Sequence, residues 1–233
     1  MKRKWMIVFS CIVLLGFSGV AGAELILIGT ATYDGGTYNL IYEDDQGLVW
    51  LDYTHLKHSW LDQDRWAYGL NGEGVLTYNL NPGISVNWEG DWRLPKTEQW
   101  NSEDGSPLVG YNITSSEMGH LFYVSLGNVG WYDTEGEKLE RYGLRNESYF
   151  EWLISGDYWS GTYFSGDPVR AWSFQFNTGL QENVWNKGTT RYALAVRPCE
   201  VSAIPVPEPA TIILLGSGLA GLGAFRRARR RRE

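Results

Sequence analysis

The chain has 233 residues, 43% of them hydrophobic and 15% aromatic, with a formal net charge of −7. That balance excludes a protein built to coat nucleic acid or an anionic membrane, because both need a clustered positive face. Two cysteines, Cys11 and Cys199, exclude a CxxC metal site.

Lys2, Arg3 and Lys4 precede an apolar run, Met6 to Phe17, and the A-x-A site Ala21-Gly22-Ala23. This order predicts a signal peptide over 1–23 and a mature chain starting at Glu24. Cys11 leaves with it, so Cys199 is expected as a lone, inert thiol, with an intermolecular disulfide as the alternative. Residues 24–204 are expected to form one domain, long enough to bury a core and holding 11 of the 12 tryptophans. Without the two ends, 11 basic and 25 acidic residues remain, a charge near −14.

Glu24 to Thr32 and Thr37 to Tyr42 read as strands around the turn Asp34-Gly35-Gly36. Leu48 to Leu51 reads as a short buried strand. Glu43, Asp44, Asp45 and Asp52 have the oxygen chemistry of a calcium site but not its spacing, and are expected as solvated turn acids. Ser59 and Asp62 cap a predicted helix that ends at Gly69, Asn71 and Gly72. Val75 to Leu80 is extended, and Asn81-Pro82-Gly83 turns. A second helix is expected after Pro95, with Trp100 on its buried side. A third runs from Ser115 or Ser116 to Gly127. Residues 101–113 and 128–148 read as surface loops. Tyr158 to Tyr163, Arg170 to Phe176 and Tyr192 to Val196 read as strands, and Gln181 to Thr190 as a polar loop. Short helices with a late antiparallel sheet predict an α+β domain.

The last residues differ in kind. Val206-Pro207-Glu208-Pro209-Ala210-Thr211 leads into an uncharged apolar run, 211–225, and then into Arg226, Arg227 and Arg229 to Arg232. The run spans about 22 Å as a helix, short for a bilayer core of about 30 Å. Its basic end is expected to stay cytoplasmic. The tripartite order resembles the PEP-CTERM sorting signal, with Pro207, Glu208 and Pro209 as the motif. The resemblance implies residues 205–233 as a sorting segment, transient membrane anchorage through 211–225, and an exosortase as partner. It also implies release or attachment at the cell surface.

Five stretches of the domain carry a further resemblance: Gly47 to Asp52, Asp91-Trp92-Arg93-Leu94-Pro95, Tyr158 to Thr162, Ala171 to Phe174, and Ala195 to Pro198. Together they resemble the Lcl C-terminal-like domain, related in fold to C-type lectins and formylglycine-generating enzymes. Lys96 and Gln99 depart from that family's Thr-x-x-Glu capping box. The resemblance implies a single C-type-lectin-like domain. Trp92, Trp159 and Trp172 are expected in the core, with Arg93 and Arg197 as internal donors.

On these grounds the chain reads as a non-catalytic module displayed outside the cell that binds a carbohydrate such as an exopolysaccharide. Trp131, Asn177, Asn183 and Trp185 are the candidate contacts, aromatic faces beside amides on expected loops. No cofactor and no nucleic-acid partner are expected. The alternatives are a structural envelope or biofilm-matrix component, and a metal-dependent enzyme using His55 and His58 with Asp52. A lone mature cysteine excludes formylglycine-type chemistry.

Overall fold

The structure is a computed structural model and describes residues 24–101 and 103–203. The expected signal peptide 1–23, the sorting residues Pro207, Glu208 and Pro209 and the apolar run 211–225 lie outside the described residues. Among the described residues no helix is long and apolar enough to cross a membrane.

Among the described residues nine strands join in one sheet: β1 (Leu25–Tyr33), β2 (Gly36–Glu43), β3 (Leu48–His58), β4 (Thr77–Leu80), β5 (Ile84–Trp88), β6 (Asp157–Tyr163), β7 (Arg170–Gln175), β8 (Leu180–Asn186) and β9 (Arg191–Ala203). The order is β4-β1-β2-β3-β9-β6-β7-β8, with β5 added to the far end of β9. Pairings are antiparallel apart from one parallel bridge between Tyr158 and Tyr192. Asp34 and Gly35 both have positive φ, 45° and 77°, as a two-residue hairpin turn between β1 and β2 requires.

The α+β, C-type-lectin-like expectation does not hold. Among the described residues, helix is limited to α1 (Trp60–Gly69), the four residues of α2 (Glu117–His120) and a π-helical turn, Leu121–Ser125. The molecule is mainly sheet, for two local reasons. No helix follows Pro95, because the backbone there has partners elsewhere. The Pro95 carbonyl accepts from Gly161 N, Thr97 N donates to Thr162 Oγ1, and Glu98 N donates to Ser116 Oγ. Trp100 is partly exposed instead of buried. The expected loop 181–190 is largely strand β8, whose polar side chains turn inward. Gln181 Nε2 donates to Leu108 O at 2.7 Å, and Glu182 accepts from Gln175 Nε2 at 2.8 Å.

The middle of the sheet is covered on both faces. Leu40, Val49, Leu51, Ala193 and Ala195 join a first core with Trp92, Leu94, Trp159, Ala67 and Leu70. Ile41, Trp50, Leu194 and Val196 join a second with Phe122, Phe150, Phe174 and Phe176. Burial on both sides is why Leu48 to Leu51 and Ala193 to Val196 are unbroken apolar runs without polar alternation. Several quoted sequence stretches meet here: Arg93 bridges to Val196 in the backbone, and Pro95 holds Gly161. Arg93 forks onto Glu117 with two 2.7 Å bonds, and Arg197 Nε donates to Gly90 O at 2.6 Å. Trp92, Trp159 and Trp172 are buried, as expected. Cys199 is buried as well, and burial pushes its thiol up to about 12, which disfavours the reactive thiolate.

Candidate functional site

β3 does not stop at Leu51. It continues to His58, so residues expected in a loop become strand positions, with Tyr53 and His55 two apart along it. These two rings begin a row. Tyr53 meets Tyr38 of β2 at 4.8 Å between centroids and Tyr33 of β1 at 5.2 Å, both edge to face. Trp66 of α1 lies 5.9 Å from Tyr53 and stacks on His55 at 4.4 Å with planes 3° apart. His58 stacks on His55 at 5.1 Å. At the other end, Trp152 meets Tyr38 at 5.9 Å and is 54% exposed. The row therefore draws on three adjacent strands, one helix and one loop.

Polar contacts orient Tyr33, Trp66 and His55. Trp66 Nε1 donates to the Tyr33 hydroxyl at 3.2 Å. Gln63 is buried and its Nε2 donates to Leu56 O and Arg191 O, so its Oε1 accepts from His55 Nδ1 at 2.6 Å. That fixes the tautomer and leaves Nε2 of His55 as an acceptor. Burial lowers the His55 pKa, which keeps the ring neutral. Asp52 does not join these histidines. Its two oxygens accept the backbone N–H groups of Glu151 and Trp152 at 2.7 and 3.0 Å, holding the loop that presents Trp152. Burial pushes the Asp52 carboxyl up to about 6. His55 and His58 are thus parts of an aromatic face, and no carboxylate joins them in a metal-ligating group among the described residues.

Arg191 links the end of the row to Trp185. His58 is paired with Arg191 across β3 and β9. The Arg191 guanidinium lies 5.3 Å from the Trp159 ring and 4.5 Å from the Trp185 ring. Arg191 is 3% exposed, with Nη1 2.8 Å from Asp157 and Nη2 3.5 Å from Glu182. Burial lowers its pKa against the pull of both carboxylates. The Nη1 contact is an ion pair without hydrogen-bond alignment, and Nε lacks a partner among the described residues. Trp185 Nε1 donates to Glu182. The indole is thereby fixed at its N–H and backed by a cation, yet stays 39% exposed.

The other expected contacts fare differently. Trp131 is half-buried, stacked on Tyr142 at 5.5 Å with the Lys138 ammonium 4.9 Å from its ring. Asn183 is only 6% exposed. Asn177 is exposed at the β7–β8 turn, near Trp131, whose backbone N–H donates to the neighbouring Thr178 carbonyl. Trp131 and Asn177 thus sit at one end of β8, and Trp185 near the other. Sequence reasoning missed Tyr33, Tyr38, Tyr53, Trp66 and Trp152 as a surface. The period-two spacing of Tyr53 and His55 was the available signal.

The acidic turn also differs from expectation. Glu43 and Asp52 are fully buried, so only Asp44 and Asp45 behave as turn acids. Glu43 accepts from Trp50 Nε1 at 2.8 Å, from Ser125 Oγ and from His120 Nδ1 at 2.9 Å. His120 Nε2 lies 3.0 Å from Asp45. The hydrogen bond to Glu43, with the charges of Glu43 and Asp45, raises the His120 pKa against burial. Glu43, Asp45 and His120 are close enough to suggest a metal centre. With a carboxylate on each ring nitrogen, the protonated ring pairs with both acids, and in that state it has no lone pair for a cation.

Beyond this domain, residues 205–232 match the family model for the PEP-CTERM protein-sorting motif. The chain carries an exosortase sorting signal. The motif marks it for export, a membrane-anchored intermediate and exosortase processing. No curated protein and no solved structure matches the chain. The Lcl C-terminal-like and C-type-lectin resemblance is left without support, since the family match is confined to the tail.

Proposed function

We propose that this exported, exosortase-processed surface protein binds a neutral polysaccharide along the aromatic face from Trp152 to Trp185. The supporting observation is the row itself, in which the His55, Trp66 and Trp185 rings are held by internal hydrogen bonds before any ligand arrives. Sugar rings offer apolar faces ringed by hydroxyls, and aromatic side chains with polar tips match both features. Rings held in place lose little conformational freedom on binding, which favours affinity. The acidic surface disfavours a polyanionic glycan and favours a neutral one.

The test is calorimetric titration of the purified exported protein with the exopolysaccharide of the producing cell. Saturable binding is expected, weakened at least tenfold, about 1.4 kcal/mol, by Trp152→Ala or Trp185→Ala while circular dichroism stays unchanged. Absence of binding at high polymer concentration would leave a structural matrix component as the better account.

A further inference from the structure

The end of β2 and the turn after it hold three consecutive acids, and the fold gives two of them an imidazole partner. His120 bridges Glu43 and Asp45. Asp44 faces the start of β1 instead. Its Oδ1 accepts from the backbone nitrogen of Glu24 at 2.8 Å, and its own N–H donates to the Glu24 carbonyl at 3.2 Å. The register places Leu25 opposite Glu43, so this two-way contact closes the end of the β1–β2 ladder.

Glu24 is also the residue that follows the A-x-A site. In the precursor its nitrogen is a neutral peptide amide. Hydrolysis of the Ala23–Glu24 bond adds one water, leaving a carboxylate on Ala23 and an amine on Glu24. That amine is largely protonated at neutral pH, since ordinary α-amines titrate near 7.7–8.0. We propose that signal-peptide removal completes this turn: the new α-ammonium of Glu24 forms an ion pair with Asp44 that the precursor lacks, pinning the start of β1 in the mature chain only.

The surrounding charges agree. The ionisable groups around the turn are Asp45, the buried Glu43 and His120, with Tyr42 of β2 and Glu200 of β9 beside Asp44 or its neighbours. Acids outnumber cations there, so an added positive charge is favoured. A charged donor also makes a stronger hydrogen bond than an amide. Glu24 and Asp44 are both exposed, so the effect is local, a reduction of strand fraying and not a change in the global fold.

The experiment uses the full chain expressed with its leader and purified after export. Intact mass reads the N-terminus, NMR titration reads the α-amine, and hydrogen exchange reads the amides of residues 25–27 and 44–46. Asp44→Asn is compared in two backgrounds, the natural cleavage product and a chain whose cleavage site is moved upstream to leave two extra residues. In the natural product, Asp44→Asn is expected to lower the α-amine pKa and speed exchange roughly two- to fivefold. In the extended chain exchange is already fast, and Asp44→Asn adds little. An amine that titrates identically in wild type and Asp44→Asn would overturn the proposal. So would equal exchange effects in both backgrounds, a start other than Glu24, or a mass short by one water, the mark of a cyclised N-terminal glutamate with no free amine.

Discussion

Trp131 lies in the loop after the π-helical turn, and Trp185 lies near the end of β8. Both sit among polar residues and next to amides. Trp131 is stacked on Tyr142 and covered by Lys138, and its buried Nε1 lacks a partner among the described residues. Trp185 has its N–H bonded to Glu182 and its ring backed by Arg191, with the remainder open. One indole is spent on holding a loop together. The other is held so that a surface stays available. An aromatic residue in a polar stretch therefore says little about binding until the occupants of its faces and its N–H are known.

The largest expected effect comes from removing the support under Trp185. Arg191→Met leaves Asp157 and Glu182 without their cation, and breaking such a buried pair costs about 3 kcal/mol. Urea denaturation would measure it, and a loss below 1 kcal/mol would mean that the guanidinium does not hold this end of the sheet.

Trp131→Ala sharpens the contrast from the other side. Full burial of a tryptophan is worth 3–5 kcal/mol on truncation, so a half-buried one is expected to cost about 2 kcal/mol while polysaccharide affinity stays unchanged. If affinity falls and stability does not, the assignment of the two indoles is reversed.

The loop that presents Trp152 is tied to pH. Asp52 has a folded pKa of about 6, above its ordinary value of 3.8, so the folded state takes up the proton first as pH falls. Stability therefore rises as pH drops from about 6 to about 4, by about 1–3 kcal/mol from this group. His120 acts in the same direction. Its raised pKa gives a contribution fully present below 6.5 and lost as pH rises through the folded value. Denaturant midpoints are expected to be higher at pH 5 than at pH 8, with Asp52→Asn flattening the difference. Equal midpoints would show that these burials carry no net cost.

Much of the strand framework could be read from periodicity and turn chemistry. Asp34-Gly35 and the Ser59 cap are local devices, and both are found where expected, with Ser59 Oγ accepting from Asp62 N at 3.3 Å. The aromatic row was not legible, because its members come from β1, β2, β3, α1 and a distant loop. The helix expected after Pro95 failed because Thr162 and Ser116 supplied partners from remote parts of the chain.

By itself the sequence determined the charge, the C-terminal sorting motif, and the alternation that builds the hairpins. Each depends on residues adjacent or nearly adjacent in the chain. Tertiary structure alone decided that Gln181 to Asn183 enter a strand, that Glu43 and Asp52 are buried, and that Trp185 stays open while Trp131 closes. Those outcomes rest on groups far apart in sequence, such as Asp52 with Glu151 and Glu43 with His120. A buried polar side chain usually needs a partner inside, and local sequence does not record who that partner is.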